Sequence, residues 1–262
     1  MIDFLVSTSE SELLADTLWS LGVVAVEERQ APGDFVTLRT SMGEELSVSR
    51  DHIKRNFPNV VVSVAYIERS VADTWRAHAA PTWVTEDVVL CPAWVTSPDA
   101  PHVIRIEPAD TFGLGNHTTT VLALRLGLRH CALNSRVFDF GCGSGVLAIA
   151  VTKILQSESF CFDIAHNARE VVNVNNELND VNTTWLVDSF NLNADLVFAN
   201  ILAPVLIAES ATIKGSVNES GLIVLSGMRD EQVQQVLLSY SECNEVERES
   251  RDGWTAVILR KS

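Results

Sequence analysis

Residues 138–150 read FDFGCGSGVLAIA, with Gly141, Gly143 and Gly145 at alternate positions between an apolar run and a helix-like run. Glycines so placed let a backbone turn sharply and approach a ligand with no Cβ in the way. A phosphate, a dinucleotide and a sulfonium nucleoside can each sit on a turn of this kind. A dinucleotide fingerprint needs G-x-G-x-x-G, with pyrophosphate over the helix N-terminus; the spacing here is G-x-G-x-G. A P-loop needs Gly-Lys-Ser/Thr at its end, and this chain has Val146 and Leu147 after its last glycine. Asp139 enters the turn, and an acidic residue there suits a cation better than a polyphosphate. The ammonium and sulfonium of S-adenosylmethionine meet that description.

Asp163 closes the next apolar run, SFCFD, 18 residues beyond Gly145. At the end of a parallel strand a carboxylate can accept hydrogen bonds from both hydroxyls of a ribose. Alone, Asp163 reads equally well as a strand-end or helix-capping residue; beside the glycine turn, the ribose contact is the expectation. Asp188, after TTWLV, falls where a polar side chain could meet an adenine amino group. Asn200 ends ADLVFAN, shortly before Pro204. There it would stand close to a transferred group, its amide orienting an acceptor amine, although a turn asparagine would look the same.

These residues need an open parallel sheet, whose ligands lie beyond the carboxyl ends of the strands where the strand order reverses. From about residue 117 the pattern supplies one. Helical TTTVLALRLGLRH (118–130) precedes strands expected at 136–140, 159–163, 183–187, 194–200 and 221–226. Helices are expected to about 156 and over 165–179, 203–213 and 229–240. Strands alternating with helices indicate a doubly wound α/β fold. Two last segments, 243–249 and 254–260, flank the turn signal RDG, so the final strand should close a hairpin and run antiparallel, giving seven strands.

Upstream, residues 1–67 read as a small α+β domain of order β-α-β-β-α-β, the ferredoxin-like split unit. Strands fall at 2–6, 23–28, 35–40 and 59–68, and helices at 10–21 and near 44–56. Ser9 or Ser11 could cap the first helix, whose Leu13, Leu14, Leu18 and Leu21 form an apolar stripe. Residues 68–110, punctuated by five prolines, read as a connector with two strands near 87–91 and 102–107. The third part, 111–262, carries the glycine turn.

The formal net charge of −15 gives a surface that repels nucleic-acid phosphates and anionic lipid and attracts basic partners. No run approaches the roughly 18 apolar residues needed to span a bilayer, and MIDFLVSTSE lacks the basic stretch of a secretory signal. Cys91, Cys131, Cys142, Cys161 and Cys243 are scattered without a C-x-x-C pair. That fits reduced thiols in the cytoplasm rather than a disulfide framework or a zinc site, and no metal is implied.

Together VFDFGCGSGVLAIA, FDIAHNAREVVNVNNELN, DLVFANILAP and EPADTFGLGNHTTT (107–120) resemble the ribosomal protein L-eleven methyltransferase family (PrmA). DTWRAH, CPAW and GWTAVILRK extend the resemblance over nearly the whole chain. The glycine turn is shared by all class I methyltransferases; the EP-x-x-x-FG-x-G-x-H-x-TT stretch and NILAP are more diagnostic. The resemblance implies a Rossmann-like class I methyltransferase domain preceded by a substrate-recognition domain. It implies S-adenosylmethionine as cofactor and methylation of lysine side chains and the α-amine of a basic large-subunit ribosomal protein, by a cytoplasmic monomer without direct nucleic-acid contact. Carried over by position, Gly141, Gly143 and Asp163 contact the cofactor, Thr119 joins them from the loop that closes over it, and Asn200 sits at the cofactor's reactive end, both a cofactor contact and the catalytic residue. Asp139, Gly145 and Asp188 complete the expected cofactor set, while Phe112 and His117 shape the pocket. Ala109 and Leu114 stand where the family has Gly and Thr, which puts the loop geometry in question. Ala165 and His166 follow Asp163 where the family has D-I-D-P, leaving the ribose carboxylate intact.

Two rival readings remain at this level. One is a class I methyltransferase acting on another protein amine or a small molecule; the other is a cofactor-binding module that has lost catalysis, which Leu114 and Ala165 favour. A nicotinamide oxidoreductase is disfavoured by the glycine spacing.

Overall fold

Along Ile2–Ser7 (β1) every second side chain, Ile2, Phe4 and Val6, is buried, the period of a strand with one covered face. The computed structural model describes residues 2–20, 23, 26–40, 53–64, 79–108, 115–165, 167–187 and 192–262. The chain divides into two units, Met1–His78 and Ala79–Ser262. In the first, β1 is followed by α1 (Ser11–Ser20), β2 (Val26–Gln30), β3 (Phe35–Thr40) and β4 (Val61–Val64). The strands form one antiparallel sheet of order β2-β3-β1-β4, so β3 splits the two strands that α1 joins. Arg39 clamps Asp3 across β1 and β3 through two hydrogen bonds of 2.5 Å, which hold the Asp3 carboxyl below its usual range. Leu14 and Leu18 of α1 are fully buried but Leu13 is exposed, so the stripe is a single i, i+4 ridge; Leu21 lies outside the described residues. Ser11 is the first residue of α1 and its hydroxyl donates to the Thr8 carbonyl (2.9 Å), so it is not the cap. Of the second expected helix, residues 53–56 are described and are helical.

The second unit begins with β5 (Thr82–Trp83), β6 (Val88–Pro92) and β7 (His102–Ile106), a three-stranded sheet in which β6 and β7 are parallel. Val84, Val88, Leu90, Ile104 and Ile106 join a core shared with the helices and strands that follow. These are α2 (Thr118–His130), β8 (Arg136–Phe140), α3 (Val146–Leu155), β9 (Glu158–Phe162), α4 (Ala168–Asn179), β10 (Thr184–Trp185) and β11 (Ala194–Asn200). After them come α5 (Ala203–Ala208), α6 (Ser210–Ser216), β12 (Val217–Arg229), α7 (Val233–Leu238), β13 (Cys243–Arg251) and β14 (Trp254–Lys261). The seven strands β8–β14 form one sheet of order β10-β9-β8-β11-β12-β14-β13. All neighbours from β10 to β12 are parallel; β14 runs antiparallel to both β12 and β13. The expected hairpin therefore forms, with its second strand on the inside.

Alternation along these strands feeds two cores, one on each face. Val137, Leu196, Phe198, Val224 and Ile258 belong to one cluster, and their chain neighbours Phe138, Val197, Ala199, Ile223, Leu225 and Val257 to the other. Strands covered on both faces read as continuous apolar runs, which is why they stand out in the sequence. The helices deviate more. The stretch expected at 203–213 breaks at Glu209, whose carboxylate accepts from the Thr212 hydroxyl (3.0 Å) and restarts the chain as α6. The one expected at 229–240 starts as a 3₁₀ turn, Asp230–Gln232, fixed by Arg229 N–H donating to Gln232 Oε1 (2.8 Å). At the sheet borders, β10 pairs through two residues, and β13 presents the sequence CNEVERESR. No helix among the described residues is long and apolar enough to cross a membrane.

Candidate functional site

Strand order reverses at β8, with β9 and β10 on one side and β11 and β12 on the other. The crevice beyond its carboxyl end is where ligands bind in this architecture, and the glycine turn occupies that position. Gly141, Gly143 and Gly145 have φ of 75°, 53° and 77°, values that side-chain-bearing residues rarely adopt. The turn's amides are directed into the protein. Gly141 and Cys142 donate to the Phe162 carbonyl (2.8 and 3.0 Å), and Gly145 donates to the Cys142 carbonyl (2.8 Å). Gly143 donates to Asp163 Oδ2 (2.8 Å). A phosphate cradle aims such N–H groups at its ligand; here four of them already have protein acceptors. The turn is built for something other than a phosphate chain.

Two acidic side chains flank the turn. Asp139 is buried; its Oδ2 accepts from Ala148 N–H (3.2 Å), while Oδ1 has no partner among the described residues. Burial pushes its carboxyl up to about 7, against the lowering effect of the Ala148 amide, and the negative charge of Asp163 adds to the rise. Asp163 also accepts from Ala165 N–H (2.7 Å) through Oδ1. That contact uses backbone alone, so Ala165 serves it as well as the family's aspartate. Each Asp163 oxygen makes one hydrogen bond to the backbone, and a carboxylate offers about four lone-pair sites, enough to take two ribose hydroxyls as well. Paired acids, an orphaned buried oxygen and a turn with four amides already committed to protein acceptors fit a cationic nucleoside.

Asp139 gives stability a pH dependence. Folded, the carboxyl holds its proton to about pH 7; unfolded, it gives it up near 3.8. Its contribution to stability therefore falls as pH rises between those values and is level above them. Asp139→Asn keeps the shape without the ionisation. Its stability relative to the parent should rise by a few kcal/mol between those limits and then plateau, as read from urea unfolding at a series of pH values. A pH-independent difference would contradict the buried-acid assignment.

On the other side of the switch point, Asn200 ends β11 opposite Ser226 of β12. Asn200 Nδ2 donates to Thr120 Oγ1 (3.2 Å), and the Ser226 hydroxyl donates to the Thr119 carbonyl (3.0 Å). His117 caps α2, its Nδ1 accepting from Thr119 N–H (3.4 Å) and lying 2.8 Å from Thr119 Oγ1. The His117 ring meets Trp254 edge-on at 5.0 Å, and the Arg229 guanidinium stacks over that tryptophan at 3.9 Å. Burial, then the Arg229 charge, holds His117 below the usual imidazole range, as a neutral accepting nitrogen requires. Ile201 is gripped from the glycine turn and from β12. A Cβ on Gly141 would fall 2.4 Å from Ile201 Cγ2, and one on Gly227 would fall 2.3 Å from the Ile201 carbonyl oxygen.

The structure thus gathers Asp139, Gly141, Gly143, Gly145 and Asp163 at the ends of β8 and β9, with Thr119 and Asn200 joined through the start of α2. Asp188, Phe112, Leu114 and His166 lie outside the described residues. Sequence reasoning missed Thr120, Ser226 and Gly227. It also missed Asn175 of α4, whose Nδ2 donates to the Ser144 carbonyl inside the turn (2.9 Å). The one local signal for any of them is the triple threonine of HTTT.

Comparison with known proteins follows the same lines. A ribosomal protein L11 methyltransferase from Clostridium botulinum (strain Eklund 17B / Type B) is 31% identical over 202 residues, covering 74% of this chain and 64% of that one. The match thus spans slightly under two thirds of that relative's length. A namesake from Ralstonia pickettii is 28% identical and aligns over 96% of this chain and 95% of its own. The crystal structure of a ribosomal protein L11 methylase from Lactobacillus delbrueckii subsp. bulgaricus superposes with a TM-score of 0.63 at 25% identity, over 70% of this chain and 99% of that one. The family model described as Ribosomal protein L11 methyltransferase (PrmA) matches residues 37–262. From within β3 to the C-terminal end of the chain, therefore, this protein belongs to the ribosomal protein L11 methyltransferase family.

Proposed function

We propose that the chain transfers a methyl group from S-adenosylmethionine to amino groups, lysine side chains and the α-amine, of ribosomal protein L11. The observation that carries the reading is the convergence of a phosphate-averse glycine turn, Asp163 and Asn200 at one switch point in a chain of this family. S-adenosylmethionine, when bound, supplies a methyl carbon already activated by its sulfonium. Asp163 would hold the ribose, the glycine turn would accept the nucleoside at close range, and the negative charge of Asp163 would offset its positive charge.

For the acceptor, the protein has to position a neutral amine rather than form a covalent bond. Asn200 suits that task. With Nδ2 committed to Thr120, its carbonyl oxygen is the atom left to accept an amine N–H, which would aim the nitrogen lone pair along the line of attack. Such positioning supplies most of the catalysis in a displacement of this kind. A lysine of pKa near ~10.4 has to lose its proton to water first; the acidic surface favours docking of a basic substrate, not loss of that proton. We place the protein in the cytoplasm as a monomer, with no direct nucleic-acid contact.

Incubating the protein with labelled S-adenosylmethionine and ribosomal proteins, then mapping the product by mass, tests the proposal. Label on L11 amines supports it; label on another protein or a small molecule points to the rival substrate. Asp163→Ala should weaken S-adenosylhomocysteine binding by roughly 1.5–3 kcal/mol, the scale of a lost charge-assisted hydrogen bond. Unchanged affinity in calorimetry would remove Asp163 from the ribose.

A further inference from the structure

Among the described residues β7 has a strand partner only on its β6 side, and α4 lies along Arg105 and Glu107 at its end. Asn179 Oδ1 accepts from Arg105 N–H (2.8 Å) and its Nδ2 donates to the Arg105 carbonyl (2.7 Å). Asn175 repeats the pattern two strand residues on, accepting from Glu107 N–H (2.8 Å) and donating to the Glu107 carbonyl (3.0 Å). Each side-chain amide copies a peptide group of a missing strand. The registers match because residues four apart on a helix rise roughly 6 Å, and residues two apart on a strand roughly 6.6 Å. Both asparagines are buried.

They differ in one respect. The second hydrogen bond of Asn179 Nδ2 goes to the Asn175 carbonyl (2.8 Å), within its own helix. That of Asn175 Nδ2 goes to Ser144 (2.9 Å), between Gly143 and Gly145. We infer that Asn175 is a positioning residue for the nucleoside seat: it fixes the Ser144 peptide against β7 and α4, as Asp163 fixes the neighbouring Gly143 amide. Three glycines make the turn shapeable but also pliant; Asn175 and Asp163 together hold it in one conformation. The inference rests on the methyl-transfer reading for the identity of the ligand.

Asn179 is the matched control, since Asn→Asp at either site keeps the volume and turns a donor toward two carbonyls into an acceptor. N175D and N179D should lower the melting temperature of the ligand-free protein by similar amounts. N175D should also raise the Kd for S-adenosylhomocysteine at least tenfold in calorimetry, while N179D changes it less than threefold. Equal rises in the two variants, or an N175D Kd within threefold of the parent, overturn the inference and leave the methyl-transfer reading standing. A parent protein that takes no S-adenosylhomocysteine overturns that reading, and this inference with it. If N175D does not fold, the pair N175S and N179S is measured against the same criteria.

Discussion

Replacing Asn200 with alanine should lower turnover roughly hundredfold while leaving S-adenosylhomocysteine affinity within about threefold of the parent. The asymmetry follows from the site. Asn200 is tied to Thr120, not to the glycine turn, so its removal leaves the nucleoside's contacts in place and takes away the acceptor that aims the amine. A displacement tolerates little angular error, and a misplacement on the order of 1 Å is enough for a loss of this size. Thr120→Val should show a smaller loss of the same kind, because it frees the Asn200 amide to rotate without deleting it. Single-turnover rates at saturating cofactor, paired with calorimetry, separate the two quantities. Equal losses in turnover and affinity would move Asn200 into the cofactor's own contacts.

Gly227→Ala should cost roughly 3 kcal/mol or more of stability. Two effects add. The backbone at Gly227 has φ of 85°, and a Cβ there would lie 2.3, 2.8 and 2.9 Å from the carbonyl oxygen, carbonyl carbon and nitrogen of Ile201. Those are backbone atoms of the turn that follows Asn200, so relief requires β11 and β12 to separate at their carboxyl ends. Gly253 is the control: its φ is 76°, but the nearest atom to a Cβ is Arg229 Nη1 at 3.5 Å. Gly253→Ala should therefore show only the strain of a left-handed backbone, about 1–2 kcal/mol. Urea unfolding of both variants decides the matter; similar losses would mean that the close approach to Ile201 is unimportant. Since the displaced segment carries Asn200, the surviving folded Gly227→Ala protein should also turn over more slowly.

What could be read from the sequence was whatever is written locally. The glycine turn and the strand-end places of Asp163 and Asn200 are written within a few residues, and buried parallel strands announce themselves as apolar runs. Gly227 and Ser226 matter because β12 lies beside β11, and Asn175 matters because α4 packs against β7. Those neighbours come from tertiary topology, which no stretch of VLSGMR or VNVNNELN encodes by itself. Helix boundaries failed for a related reason. At Glu209 and Gln232 a single side chain bonds to a nearby hydroxyl or amide and resets the chain, a choice that hydrophobic periodicity does not register. Ala165 departs from the family pattern in its side chain, yet the contact made there belongs to the main chain.

The two borders of the seven-stranded sheet have a consequence for the protein at high concentration. Glu245, Glu247, Arg248, Glu249 and Arg251 line β13, and β10 pairs through two residues only. One flank is guarded by charge and the other by brevity, both devices that discourage a foreign strand from docking. The seven-stranded sheet can thus fill its interior with valine, isoleucine and phenylalanine while neither of its borders offers a long, uncharged template to a foreign strand.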